Sequence, residues 1–172
     1  MTADDQGAET PDAQPATQPG DGVEETSFSI RAQYLKDISF ENPNAPAIYA
    51  KLNQQPEISV SVDVNARPLE GRTYETVLSA SVNAKFDGAQ GFLIELQYGA
   101  VIQISEQVEP EALEPLLLVE VPRYLFPFTR DLISSATRDG GFPPLLVAPI
   151  DFGKLYLRHK AQQGQQAAQP AS

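Results

Sequence analysis

The sequence has 172 residues, of which 41% are hydrophobic, and this is enough for one domain with a core of its own. Cysteine is absent, so disulfides, thiolate nucleophiles and thiolate metal sites are excluded. The formal net charge of -11 argues against nucleic acid as a partner and favours a basic protein partner.

The two ends of the chain differ in composition from the middle. Residues 1–25 contain seven acids and neither Lys nor Arg, which predicts a disordered acidic N-terminal extension. They lack the basic and apolar regions of a secretory signal peptide. Residues 161–172 are uncharged and of low complexity, which predicts a disordered tail. The folded domain is therefore expected at 26–160, and because no apolar run reaches ~18 residues, no direct membrane insertion is expected.

Four segments between these ends alternate apolar and polar residues, with the apolar residues at even positions. The segments are 28–40, 58–66, 74–86 and 92–104. Short turns with Gly at 67–72 and 87–91 predict that strands two to four form an antiparallel meander. The first connection, residues 42–56, is too long for a hairpin, so we expect it to cross an edge or a face of the sheet.

The segment Glu109 to Gly141 predicts one long helix, which Pro122 and Pro127 are expected to bend. Its run Leu116 to Val121 is apolar on nearly every side. One four-stranded sheet covers only one side of a helix, so another surface is expected to cover the rest of this run. A short last helix follows, with Asp151 as its cap, and the fold class is α+β.

The first strand ends with two carboxylates on its polar face. Asp37 and Glu41 are expected to lie roughly 13 Å apart at ~3.3 Å per residue, which is too far for a shared proton but suits a pair of docking charges. Leu93 and Glu95 lie on the polar face of strand four, where an exposed leucine beside acids indicates a contact surface. From the pattern alone, ordinary solvated strand residues are the plainer interpretation of all four.

Three segments together resemble one known family. "YLKDISFENPNAP", "FLIELQYGAVIQI" and "LFPFTRDLISSATRDGGFPPLLVAPIDF" resemble SecB, the bacterial export chaperone, over residues 26–160. The resemblance implies a four-stranded antiparallel sheet with a long helix, and a homotetramer built as a dimer of dimers. It also implies an ATP-independent holdase of the cytoplasm, without a cofactor or enzymatic activity. Such a protein binds unfolded secretory precursor proteins, keeps them competent for translocation and delivers them to the SecA translocase motor.

The resemblance also assigns roles to residues. Asp37, Glu41, Leu93 and Glu95 match the family's docking face for the basic, zinc-bearing C-terminal segment of SecA. That zinc belongs to SecA, and no metal site is expected in this chain. The extension at 1–25 is longer than is usual in the family and receives no role.

The client-binding surface is expected to be a long apolar groove, because unfolded chains present apolar side chains in any order. Plain core packing is the alternative for each candidate. The candidates are Phe40, Ile48, Tyr49, Phe126, Phe128, Phe142 and Leu145.

Two other classes of function stay open. A small-ligand-binding α+β scaffold would need a closed apolar cavity instead of an open groove. An enzyme is the weakest alternative, because the sequence offers no activated nucleophile and no phosphate-binding Gly loop. The single histidine, His159, has no second imidazole to share a metal, so we interpret it as a surface or helix-end residue.

Overall fold

The computed structural model of this protein describes residues 27–167, so the predicted acidic extension lies outside the described residues. The strands are β1 (Phe28–Glu41), β2 (Pro56–Pro68), β3 (Thr73–Phe86) and β4 (Ala89–Ile104). The helices are α1 (Pro110–Pro115), a π-helical segment (Leu116–Glu120), α2 (Val121–Asp139) and α3 (Phe152–Ala167), with a short 3-10 turn at Ala47–Lys51. The predicted α+β class is confirmed.

The strands form one antiparallel sheet in the order β1-β4-β3-β2. The predicted four strands and the meander of β2, β3 and β4 are confirmed. Asp87 and Gly88 both have positive φ between β3 and β4, which is the conformation that a two-residue hairpin favours. β1 and β2 occupy opposite edges, so the segment between them passes across one end of the sheet.

The predicted alternation of β1 is wrong in the middle of the strand. Register shifts against β4 occur between Ile30 and Ala32 and again between Leu35 and Asp37, and each inserts one extra residue. Between these bulges the even-numbered residues of β1 point to the opposite face of the sheet. Tyr34 therefore pairs with Gly99 on the face turned away from the helices, which we call the outer face. The second bulge restores the predicted parity for the end of the strand.

The predicted long helix is interrupted by a π-helical segment that ends just before Pro122. The Val121 N–H donates to the carbonyl of Leu116, five residues back. Pro122 has no N–H to offer the next carbonyl, that of Leu117, and the Thr76 hydroxyl of β3 donates to it at 3.4 Å. A side chain of the sheet thus supplies a hydrogen bond that the helix lacks.

Within this chain, α3 supplies part of the additional cover that was expected for Leu116 to Val121. Leu117, Val119 and Val121 are buried, and Leu116 and Leu118 are half-buried against the same core. The sheet packs on one side of the run, and α3 packs beside it. The large exposed apolar side chains lie elsewhere on the chain, and those on β1 and α2 are Leu35, Ile38, Tyr124 and Phe128.

The last helix begins at the predicted cap and continues further than predicted. The Lys154 N–H donates to Asp151 Oδ1 at 3.0 Å, and this hydrogen bond lowers the pKa of Asp151. α3 runs to Ala167, past residue 160, where the sequence placed the start of the tail, because Ala and Gln favour helix. Among the described residues, no helix is long and apolar enough to cross a membrane.

Candidate functional site

The outer face carries the four residues that were predicted to dock a partner. Glu41 pairs with Leu93, and the adjacent row pairs Ser39 with Glu95. Asp37 follows in the next row, and all three carboxylates belong to exposed residues, while Leu93 is half-buried. Paired residues have Cβ atoms ~5 Å apart, so the structure brings the four side chains into one patch on two adjacent strands.

A shallow depression of about 300 Å³ continues this patch across the sheet. Asp37 and Glu95 line one part of it, and Asp63 of β2 lines another. Between them lie short hydroxyl side chains, those of Ser61, Ser79 and Ser81. The patch is therefore an acidic trough, which attracts a cationic segment through its field.

Asp63 was missed when the sequence was read for docking residues. It stands on the polar side of strand two, but its place beside Asp37 depends on the register of three strand pairs. Asp63 pairs with Ser79, Ser79 with Gln97, and Gln97 with Asp37, so all four form one row. The strand order, which the sequence did not give, was the missing information.

A buried carboxylate organises the other half of the outer face. The side chain of Glu75 on β3 is 4% exposed and accepts hydrogen bonds from Tyr34 and Lys36 of β1 and from Arg67 of β2. The hydrogen bond from Lys36, at 2.8 Å, and the bonds from Tyr34 and Arg67 lower the pKa of Glu75 to about 2. Burial and the adjacent Glu75 raise the pKa of Tyr34 to about 12.

This Glu75 network depends on a glycine in the strand between. Tyr34 reaches Glu75 by lying across β4 at Gly99, where a Cβ atom would stand 2.8 Å from the Tyr34 ring. Only glycine leaves space for this ring. The network therefore joins β1, β3 and β2 over β4 and fixes the outer face. Sequence reasoning missed it because the bulges of β1 move Tyr34 to this face.

The aromatic residues predicted around the crossover form one cluster at the end of the sheet. Phe142 is buried at its centre, with ring centroids 4.9 Å from Phe92, 5.7 Å from Tyr49 and 6.5 Å from Phe40. The Tyr49 hydroxyl donates to the carbonyl of Gly140 at 2.9 Å, which attaches the crossover segment to the end of α2. Ile48 is also buried, so Phe142 and Ile48 are core residues, and Tyr49 is the exposed member of the cluster.

Phe126 and Phe128 do not join this cluster. Phe126 is buried and contacts Phe152 edge-to-face, with ring centroids 5.9 Å apart, as a core residue does. Phe128 is 48% exposed and stacks on Tyr98 at 5.7 Å, on the flank of α2 near β1. Six of the seven predicted client residues therefore divide among the core, the crossover cluster and the flank of α2.

The seventh candidate, Leu145, lies in a groove of about 700 Å³ along the free edge of the sheet, which we call the β2 groove. One wall is β2, and the opposite wall is the segment between α2 and α3, together with α3 itself. Its apolar lining is Ile58, Val60, Val62, Leu145, Leu146, Val147, Ile150 and Leu155. Such a groove offers an extended chain apolar contacts over its length.

The alternation in strand two correctly identified its apolar face but predicted that this face is buried. Ile58 and Val60 remain 42% and 40% exposed because β2 is an edge strand that the helices do not cover. Exposed side chains of this kind, next to the 66% exposed Leu146, indicate a contact surface. Edge position, and not residue type, separates these residues from the core.

A second cavity of about 510 Å³ lies between α3, the long helix and the end of β2. Apolar side chains such as Leu117 and Tyr156 line it together with polar side chains of α3 and their partners. Lys160 forms an ion pair with Glu114 at 3.1 Å, and His159 Nδ1 lies 3.5 Å from a carboxylate oxygen of Asp63. This cavity and the β2 groove both open to solvent, whereas a small-ligand scaffold needs an enclosed one.

Within residues 27–167, no group of three or more His, Asp or Glu side chains is arranged to hold a metal ion. His159, predicted to be a surface or helix-end residue, lies partly exposed on α3.

Comparison with known proteins gives consistent results. A family model described as preprotein translocase subunit SecB matches residues 22–163. The protein-export protein SecB of Rhodospirillum rubrum is 43% identical over 152 residues, which are 88% of this chain and 94% of that protein. The protein-export protein SecB of Rhodopseudomonas palustris (strain BisB5) is 46% identical over 150 residues, or 86% of this chain and 94% of that one.

A solved structure shares the fold at much lower sequence identity. It is a SecB-like chaperone of Mycobacterium tuberculosis in complex with a peptide from an antitoxin. The TM-score is 0.62 at 14% identity, and the match covers 72% of this chain and 91% of that chain.

Proposed function

Because this chain belongs to the SecB family and is a chaperone for protein export, we propose that it holds unfolded precursor proteins without ATP and passes them to the SecA motor. The family is one of chaperones, not of enzymes. We assign the activity to residues 26–160 and its location to the cytoplasm. The observation that carries this proposal is the separation of an apolar groove at the sheet edge from an acidic trough on the outer face.

The β2 groove is the client site in this proposal, together with the exposed part of the crossover cluster. A client that buries on the order of 1,000 Å² of apolar surface gains roughly 25 kcal/mol before the cost of ordering a flexible chain is subtracted. The net binding free energy depends little on the sequence of the client, since the groove offers apolar contacts and few fixed polar partners. Binding is therefore strong but tolerant, as a holdase requires.

The acidic trough is the SecA site in this proposal. Asp37, Glu41 and Glu95 are exposed, and Leu93 adds an apolar contact in the end row of the patch, opposite Glu41. A basic segment meets complementary charge there, so its association rate and affinity fall as salt rises and screens charges beyond ~8 Å. The Glu75 network beside the trough supports this role because it keeps the outer face in one shape.

We further propose that the protein assembles as a homotetramer, a dimer of dimers. Leu35 and Ile38 of β1 and Tyr124 and Phe128 of α2 are exposed apolar side chains, and Tyr98, which pairs with Leu35, stacks on Phe128. A surface of this kind resembles an obligate interface before assembly. Four chains of 18.7 kDa give about 75 kDa.

The two surfaces are tested by a pair of variants. Ile58→Asp places a charge in the β2 groove and should weaken the binding of an unfolded precursor while SecA binding is retained. Asp37→Lys should weaken SecA binding while precursor binding is retained. If either variant lost both activities in a folded protein, the assignment of separate surfaces would be wrong.

A further inference from the structure

The Glu75 network carries an excess of positive charge, although the chain as a whole has a net charge of -11. Lys36 and Arg67 contribute two positive charges, and they contact different oxygens of the single Glu75 carboxylate. That carboxylate stays ionised because its pKa is lowered to about 2, and Tyr34 stays neutral because its pKa is raised to about 12. Two positive charges and one negative charge leave the network with a net charge of +1.

Arg67 is fixed at one end of its guanidinium group and open to solvent at the other. Its Nε donates to Glu75, whose side chain is 4% exposed, whereas the Arg67 side chain is 64% exposed. To the side chains and carbonyls that the structure describes, the Nη groups of Arg67 donate no hydrogen bond. A guanidinium group held at Nε retains the two Nη donors that can bind a carboxylate side by side. The buried Glu75 therefore positions Arg67 to bind an anion from solvent.

The Glu75 network lies directly beside the acidic trough on the outer face. Arg67 and Asp63 are four residues apart on β2 and point to the same face, which places them ~13 Å apart at ~3.3 Å per residue. Asp63 shares its row with Asp37, and Glu95 lies in the row beyond. Along the strands, the charge of the outer face therefore changes from negative over the trough to positive at Arg67.

We infer that the segment that docks in the acidic trough carries a carboxylate as well as basic residues, and that Arg67 binds this carboxylate. The inference rests on the proposed role of the trough. A basic side chain over the Asp37–Asp63 row places the side chain four residues further along an extended segment over Arg67, on the same face. A carboxylate there gains charge-assisted hydrogen bonds, whereas a Lys or Arg there is repelled by Arg67 and Lys36.

The same arrangement fixes the register of the docked segment. A segment shifted by four residues would bring its carboxylate to the Asp37–Asp63 row, where like charges repel each other. The trough alone attracts any basic segment, and Arg67 determines where along the outer face that segment lies.

The test uses three synthetic peptides of one extended, otherwise uncharged sequence with Lys at two alternate positions. Four residues after the second Lys, the peptides carry Asp, Asn or Lys. Their dissociation constants for the full chain are measured by fluorescence anisotropy at low and at physiological salt. We expect Arg67→Gln to weaken binding of the Asp peptide about threefold relative to the Asn peptide at low salt, as for an exposed ion pair, and less at physiological salt. The Lys peptide should change in the opposite direction.

Arg138→Gln is the matched control, because it removes an arginine of similar exposure, 60%, from α2 on the other side of the sheet. It should leave the three dissociation constants in the same ratio. If Arg67→Gln weakened all three peptides equally, or left the ratio of the Asp and Asn peptides unchanged, the inference would be wrong and the chaperone proposal would stand. Failure of the Asn peptide to bind the wild-type chain would instead refute the proposed role of the trough.

Discussion

Replacing Glu75 by Gln is expected to destabilise the protein in a way that depends on pH. The folded state lowers the pKa of Glu75 from 4.5 to about 2, and this shift corresponds to roughly 3 kcal/mol at neutral pH. Arg67, one of its partners, is 64% exposed, so solvent screening lowers the expected contribution of the Glu75 charge to about 2 kcal/mol. Glu75→Gln keeps the shape of the side chain and removes its charge.

The sign of the pH dependence follows from the lowered pKa. The stabilisation is fully present above pH ~4.5, where the carboxylate is ionised in both the folded and the unfolded state, and it is lost as the pH falls towards about 2. The difference in free energy of unfolding between wild type and Glu75→Gln should therefore shrink from about 2 kcal/mol at pH 7 to near zero at pH 2.

Urea unfolding followed by far-UV circular dichroism measures this difference, since the chain has no Trp for fluorescence. The protein concentration is kept fixed, because the apparent stability of a self-associating protein depends on concentration. Glu95→Gln is the control, an exposed carboxylate on the same face, and should change stability by less than ~0.5 kcal/mol at every pH. A difference for Glu75→Gln that stays constant from pH 7 to pH 2 would refute the electrostatic explanation.

Three other variants have defined expectations. Gly99→Ala should displace the Tyr34 ring and cost about 1–3 kcal/mol in urea unfolding, whereas Gly153→Ala, at a helical position whose nearest neighbour is the flexible Asp151 carboxylate at 3.3 Å, should cost less; equal costs would contradict the close packing. Phe128→Asp should lower the mass seen by light scattering from about 75 kDa while far-UV circular dichroism stays native, and an unchanged mass would place the interface elsewhere. Asp37→Lys should weaken SecA binding, most at low salt, and an effect independent of salt would argue against charge pairing.

The strand pattern was predictable from the sequence because period-two alternation reports directly which residues of a strand are buried. The exceptions are where the backbone departs from that period. The two bulges of β1 moved Tyr34 to the outer face, and no single residue type announces a bulge. The Glu75 network was therefore invisible, although each of its residues could be read in the sequence.

The candidate sites divided in a similar way. The docking residues lie on two neighbouring strands with simple register, and the structure brings them together as expected. The client candidates were chosen as aromatic residues, and residue type does not separate core from surface: Phe126 and Phe142 are buried, whereas Ile58 and Val60 are exposed at a sheet edge. Edge position depends on strand order, which is a property of the whole fold.

The central claim, that this chain is a holdase for unfolded precursors, is tested most directly by titrating it with one slow-folding precursor in two forms. The unfolded form is maintained by a destabilising substitution, and the native form is the folded wild-type precursor; both are measured by calorimetry without ATP. We predict tight binding of the unfolded form, no measurable binding of the native form, and delayed refolding when the chaperone is present. Similar affinity for the two forms would contradict the account.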